Sequence, residues 1–513
     1  MKTELNELIE ISRFYGTGKD YVIAGGGNTS FKDGQFIWIK ASGFPLETLS
    51  MEGLVKLDRR KLEVISGKKY SDNPLEREEE VKNDLTLAVE KDFSDRRPSV
   101  ETSLHNLIGY SFVVHLHPAV INGVLCSRKA EAIVRENFGD EALFIPYADP
   151  GYTLFKKLEK EISGYRDTKN RDPHIIFIEN HGVFVGADTT PEIRKIYEEI
   201  IRIFSALCKP FPEEGDFGFN PLLAEVLPAI RMLLSRDSLK TLRWRNNALI
   251  DSFSKSQAQF QKISHALTPD IIVYCKHRYI YIDHSSSASR ILESFRTQLE
   301  RFTAEYGFLP RVIVIKDLGI IASGENYRSA EQILDVYEDL LKISWYASFC
   351  GGIKLLTPDQ VDFIDKWEVE NYRRKISLGK GKAGSNTNRI AVVTGAAQGF
   401  GAGIAGALLD QQMNIVVADI NDEKGKAFAE SLNEKNQAGH AVFIRTDVSQ
   451  PEDVKNMVYA AVREFGGLDL MISNAAILKA GSLEEMDAGT FRKMTEINYN
   501  GFFYCAKYAS EVM

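Results

Sequence analysis

Apolar positions along the first 212 residues fall into two rhythms, one of short continuous runs and one of helical spacing. The runs predict strands over 21–24, 35–40, 111–116 and 174–186, and the helical spacing predicts helices over 3–15, 76–91, 100–109, 151–162 and 190–207. A stretch with three prolines and two glycines, 209–221, reads as a linker. Residues 222–375 form a second block, with helices expected at 222–235 and 289–306 and strands at 270–283 and 311–323. A Gly-, Lys-, Ser- and Asn-rich linker follows at 376–388, and a βαβαβ rhythm begins at Arg389.

An internal echo crosses the first boundary. The stretch HIIFIENHGVFVGADTTPEIRKIYEEI, from His174, resembles RVIVIKDLGIIASGENYRSAEQILDVYEDL, from Arg311. Each reads as strand, tight turn, strand and amphipathic helix, as a duplicated unit would. Leu318 stands where His181 stands in the first copy.

Composition narrows the function classes. A 513-residue chain suggests roughly three domains. The net charge of −8 gives no basic footprint for nucleic acid. No apolar run reaches the ~18 residues of a membrane span, and the first residues, MKTELNELIEISRFYG, lack an apolar signal core. The five cysteines are scattered without a CxxC, which fits a reducing cytosol and leads us to expect a cytoplasmic protein.

Three pieces of the first block carry chemistry. His115 and His117 flank Leu116 at the end of a predicted strand, and alternation in a strand aims both imidazoles to one side, as two ligands of one zinc require. His181, within Asn180-His181-Gly182, is a candidate third ligand. Three imidazoles and an open position make a catalytic rather than structural zinc site. Glu101 opens a helix after Arg97-Pro98-Ser99-Val100, with His105 one turn on; His105 and the remaining histidines read as surface or core residues. Gly25-Gly26-Gly27-Asn28-Thr29-Ser30 follows an apolar run, and its backbone N–H groups suit an oxyanion. The turn Lys40-Ala41-Ser42-Gly43 is placed to face the same anion.

The landmarks GGGNTS, KASG, PSVE, HLHP and NHG, in that order, resemble the class II aldolase/adducin-head family. The resemblance implies zinc on His115, His117 and His181, a proton-shuttling Glu101, and a phosphate site from Asn28, Ser42, Gly43 and Ser99. Val100 stands where the aldolases often have a second serine, which removes one phosphate donor. The family's proton-donating tyrosine falls in no alignable motif; Tyr147 is a candidate.

From Ile390 a strand runs into Thr394-Gly395-x-x-x-Gly399-x-Gly401 and then a helix, whose N-terminus suits a pyrophosphate. Asp419 ends the next strand, where a carboxylate bonds the adenosine ribose and repels a 2′-phosphate, favouring NAD. This spacing resembles the short-chain dehydrogenases, and the likeness implies Asp447 and Val448 at the adenine, Asn474 after the fourth strand, and Asn498 in the catalytic set. That family's Tyr-x-x-x-Lys lies further downstream, and Tyr504-Cys505-Ala506-Lys507 has the wrong spacing. The chain therefore reads as part of a longer protein, with LDLMISN (468–474) as an apolar open edge.

The expected architecture is α/β: a class II aldolase-like α/β/α domain (1–212), a degenerate aldolase-like middle domain (222–375), and a partial Rossmann doubly wound parallel sheet (389–513). Such a fusion resembles the bifunctional rhamnulose-1-phosphate aldolase/lactaldehyde dehydrogenase family of rhamnose catabolism. That resemblance implies a small-molecule sugar phosphate substrate and a homo-oligomer. Two other readings stay open: a short-chain oxidoreductase of another sugar or polyol whose aldolase domain is an epimerase, or one whose aldolase domain is a non-catalytic binding module.

Overall fold

The computed structural model of the chain describes residues 2–212, 217–367, 384–435 and 439–513. Most of the expected linker 376–388, and residues 213–216 of the linker 209–221, lie outside them. The chain divides into two compact units. The first takes 1–213, 261–278 and 335–376; the second takes 214–260, 279–334 and 377–513. The block expected as one middle domain, 222–375, is thus shared between the two.

The first unit is built on a seven-stranded sheet of order β3-β2-β1-β4-β7-β6-β5. Its strands are β1 (Asn28–Lys32), β2 (Phe36–Lys40), β3 (Leu54–Asp58), β4 (Phe112–Leu116), β5 (Ala142–Ile145), β6 (Ile175–Ile178) and β7 (Gly182–Ala187). All neighbours are antiparallel except β5 and β6. Alternation along the strands divides the apolar side chains between two cores. Phe31, Val114, Phe177 and Val185 enter one, and Ile39, Val113, Ile176 and Phe184 the other.

The expected strand 21–24 is not one. The backbone there is irregular, and the strand begins at Asn28, inside the glycine-rich motif. The expected strand 270–283 is corrected as well: it is a helix, Pro269–Cys275, followed by a short strand at Ile280–Ile282. Thr268 caps that helix by accepting from the Ile271 N–H, and Pro269 sits in its first turn. This start signal overrides the β-branched run IIV that suggests a strand.

The second unit holds two four-stranded sheets. One has order β8-β11-β10-β9, from β8 (Thr241–Arg245), β9 (Ile280–Ile282), β10 (Val312–Ile315) and β11 (Gly319–Gly324). The other has order β14-β13-β12-β15, from β12 (Ile390–Thr394), β13 (Asn414–Asp419), β14 (Ala441–Arg445) and β15 (Leu470–Ile472). Its strands are all parallel, as the βαβαβ rhythm requires. Leu227, Phe295 and Ile313 share one apolar core with Val392, Val458 and Phe465. Arg231, 2% exposed, pairs with Asp469 and donates to the Asn388 carbonyl.

The two echoing segments share the same turn position and strand pairing, and differ at the paired glycines, where Gly319 alone has a positive φ, +102°. In β6–β7, Ile178 pairs with Gly182 around a turn whose middle residue, Asn180, has φ +53°. In β10–β11, Ile315 pairs with Gly319 and Asp317 has φ +58°. The strand neighbours correspond too: β6 is parallel to β5 as β10 is to β9, and β7 is antiparallel to β4 as β11 is to β8.

Candidate metal centre and nucleotide crevice

β4 and the β6–β7 turn bring the three predicted histidines together. Their ring nitrogens lie within 4.8 Å of one another. His115 stacks on Phe184, its cross-strand partner, at 3.9 Å. His117 stands one residue past the end of β4, yet its Nε2 lies 2.9 Å from His115 Nε2. Asn180 holds the turn that carries His181. A left-handed non-glycine residue costs roughly 1 kcal/mol or more, and Asn180 offsets it with side-chain hydrogen bonds to the Leu267 and Lys354 carbonyls at 2.8 and 3.0 Å, each contributing about 1 kcal/mol.

The outer nitrogens decide what the inner ones can do. His115 Nδ1 faces the Val183 carbonyl at 3.1 Å, and His117 Nδ1 faces the Asp270 carboxylate at 2.6 Å. Both partners accept only, so both Nδ1 atoms carry a proton, and in a neutral ring the Nε2 atom then presents its lone pair. The two Nε2 atoms, 2.9 Å apart, either share a proton or, with both rings neutral, turn two lone pairs toward one point where a cation would lie. Glu101 Oε1 completes the cluster, 3.4 Å from His115 Nε2 and 3.2 Å from His181 Nε2. The donor set therefore fits a divalent cation of the zinc type. Burial holds the His115 imidazole well below its ordinary pKa, in the neutral form a ligand needs. Burial alone would raise the Glu101 carboxyl, and positive charge at the imidazole cluster, His115 first, holds it well below the usual range; with the rings neutral, a bound cation would supply that charge.

Behind Glu101 lies a chain of hydrogen bonds that the sequence did not reveal. His105, fully buried, has Nδ1 2.7 Å from Ser30 Oγ, and its Nε2 meets Asn28 Oδ1. Asn28 in turn donates to Glu101 Oε2 and, at 3.4 Å, to Ser99 Oγ. Of the expected phosphate residues, Asn28 and Ser99 are therefore in contact and buried. The Ser42 N–H donates to the Arg97 carbonyl at 2.9 Å, which sets the Ser42–Gly43 turn beside the segment holding Ser99. Tyr147 is placed beside Asp149, and its backbone N–H donates to Glu179.

The second site lies where the parallel sheet reverses order, between β12 and β15. Gly395 and Gly399 have φ of +64° and +60°, and a Cβ on Gly401 would lie 2.2 Å from the Gly395 carbonyl oxygen. Only glycines let this turn close against the helix Gly399–Asp410. Asn474 ties the end of β15 to the turn through the Thr394 and Gly395 carbonyls, at 2.9 and 3.2 Å. Asp419 accepts from the Ala397 N–H at 3.0 Å and the Asn421 N–H at 2.9 Å. Asp447 caps the next turn through Ser449, and Val448 is buried against Gly501. Asn498 lies in a π-helical turn, Glu496–Asn500, and bonds both backbone groups of Ile477.

Residues 6–208 match the class II aldolase and adducin N-terminal domain, and residues 389–513 match the short chain dehydrogenases. The chain joins a class II aldolase domain to a short-chain dehydrogenase domain. An uncharacterised oxidoreductase of Bacillus subtilis, YuxG, is 24% identical over 99% of this chain and 78% of its own length. An uncharacterised oxidoreductase of Thermotoga maritima is 35% identical over 24% of this chain. The fusion spans 48% of that relative's length. The solved N-terminal class II aldolase domain of a Thermoplasma acidophilum protein aligns with 40% of the fusion and 92% of its own chain, at 24% identity and a TM-score of 0.34. Among the described residues, no helix is long and apolar enough to cross a membrane.

Proposed function

We propose that the first unit cleaves a ketose 1-phosphate by a zinc-dependent retro-aldol reaction, and that residues 389–513 supply the NAD-binding part of an oxidoreductase for the aldehyde released. L-rhamnulose 1-phosphate is the proposed substrate, with dihydroxyacetone phosphate and L-lactaldehyde as products. The observation that carries the reading is the convergence of the His115 and His117 lone pairs, with His181, on Glu101. A cation held there supplies Lewis acidity at the substrate carbonyl, which contributes several kcal/mol to such reactions.

The remaining work falls to the chain's own groups. Glu101, ionised and pinned by Asn28, is the group placed to move protons. Loss of the C4 hydroxyl proton lets the C3–C4 bond break. Its electron pair passes to the ketone fragment, and a proton returned to C3 completes dihydroxyacetone phosphate. Asn28, Ser99 and the Ser42–Gly43 turn are the proposed phosphate contacts. In the second unit, the N-terminus of Gly399–Asp410 is assigned to the pyrophosphate, Asp419 to the ribose, and Asp447 and Val448 to the adenine. Coupling the two activities is chemically sensible, because the second removes the reactive aldehyde made by the first.

The test is dihydroxyacetone phosphate release from L-rhamnulose 1-phosphate, before chelation, after it, and after zinc is restored. Zinc-dependent release that disappears in Glu101→Gln supports the reading. A folded, zinc-loaded protein that releases none from this or other ketose 1-phosphates overturns it.

A further inference from the structure

The helix Pro269–Cys275 lies outside the matched aldolase residues 6–208, yet its segment, 261–278, belongs to the same compact unit. Asp270 and Tyr274 are four residues apart, so they share one helix face. That face meets the glycine-rich loop and the histidines. Tyr274 Oη accepts from the Gly25 N–H at 3.1 Å, and Asp270 Oδ2 lies 2.6 Å from His117 Nδ1. A Cβ on Gly26 would lie 2.7 Å from Asp270 Oδ2 and 3.3 Å from His117 Nδ1, so the second glycine of the loop leaves room for this pair.

We propose that Asp270 is a positioning residue of the metal centre, supplied by the middle segment of the chain, which fixes His117 with its proton on Nδ1 and its Nε2 lone pair on the cation. The proposal rests on the metal reading above. It also explains an asymmetry between the ligands. His115 is oriented by a backbone carbonyl, which no side-chain substitution removes, whereas His117 depends on a carboxylate 153 positions downstream. A carboxylate hydrogen-bonded to a ligating imidazole sets its tautomer and raises its basicity, and loss of such a partner typically weakens metal binding about 10–100-fold.

The experiment uses the full chain, stripped of metal and titrated with Co2+ against a competing chelator, following the visible absorption of the bound ion. Asp270→Ala is expected to bind Co2+ about 10–100-fold more weakly, with an altered spectrum. Asp270→Asn, whose amide oxygen still accepts but carries no charge, should fall between, and Asp270→Glu should recover part of the loss. Thermal melts of the metal-free proteins establish that each variant folds. Wild-type affinity and spectrum in both Asp270→Ala and Asp270→Asn, while His117→Ala loses the ion, overturn the role of Asp270 and leave the metal reading standing. A wild-type chain that takes up no Co2+ overturns both.

Discussion

His105 shows how much one buried side chain can carry without touching substrate. Its neutral form suits its place: Ser30 Oγ–H donates to Nδ1, Nε2–H donates to Asn28 Oδ1, and Asn28 Nδ2 donates to Glu101. The orientation of the Asn28 amide, and through it of the carboxylate, is thereby set by an imidazole two steps away. Burial pushes the His105 pKa down to about 3. An unfolded histidine titrates near 6.5, so between these values the unfolded chain binds the extra proton. Stability from this residue is therefore complete above about pH 6.5 and is lost as pH falls toward 3. The loss should amount to roughly 3 kcal/mol by pH 4, since each unit is worth about 1.4 kcal/mol. Urea denaturation of wild type and His105→Leu at pH 7 and pH 4.5 checks this: the advantage of wild type should shrink at the lower pH. His105→Leu should also lower kcat at pH 7 by about tenfold or more, because Asn28 is then free to turn.

At the scale of elements, the paired hairpins separate what the turn needs from what the metal needs. β10–β11 repeats the turn position and strand pairing of β6–β7, which supports reading the two as copies of one unit. Counting from the paired glycine, Trp244 faces Ile321 where His115 faces Phe184. Asn246 then stands in the place of His117, and Leu318 in that of His181. The Trp244 indole donates to the Leu318 carbonyl at 2.7 Å, so the ligand positions of the echo are filled by packing and an internal hydrogen bond. Gly182 and Gly319 provide a paired test. A Cβ on Gly182 would lie 2.5 Å from His117 Cδ2 and 3.1 Å from His115 Cε1, whereas one on Gly319 would lie 2.5 Å from the Arg245 carbonyl oxygen. Gly182→Ala should cost about 1–3 kcal/mol through overpacking, and Gly319→Ala at least as much, because Gly319 also has φ +102°. Only Gly182→Ala should weaken Co2+ binding, by at least about tenfold, the size of effect seen when a ligand loses its support.

The parts of the site that could be read in advance are those held by local spacing. His115 and His117 alternate on one strand, Asn180-His181-Gly182 is a three-residue turn, and Gly395-x-x-x-Gly399-x-Gly401 joins one strand to one helix. Asp270 was out of reach because its partner lies 153 residues away, and because Ile271-Ile272-Val273 suggests a strand. The Thr268-Pro269-Asp270 start was the available signal for a helix. His105 reads in the sequence only as a surface or core residue, because a bonding chain that crosses from β1 to the helix Thr102–Leu107 has no signature in spacing.

At the scale of the whole molecule, the dehydrogenase domain leaves much apolar surface uncovered. Leu478, Leu483, Phe491, Tyr499, Phe502 and Phe503 are each more than half exposed, and among the described residues β15 is paired only with β12. Such a concentration of exposed apolar side chains marks a surface that another surface covers. Left open, such an edge is expected to make this 513-residue chain self-associate. Light scattering across a concentration series should show mass rising with concentration, and Phe502→Glu with Phe503→Glu should flatten the rise. A mass that stays constant and is unaffected by the pair overturns this expectation.

The order in which the chain feeds its two compact units has a further consequence. The first unit is drawn from three separated stretches, with parts of the second threaded between them. No single cut in the gene releases it whole. A break near residue 212 would keep all three imidazoles and Glu101 and discard Asp270, Tyr274 and the Leu267 and Lys354 carbonyls that hold Asn180. A lineage that shed the downstream half would have to evolve new supports for the histidines in the same step, so the interleaving itself acts against separation of the two domains.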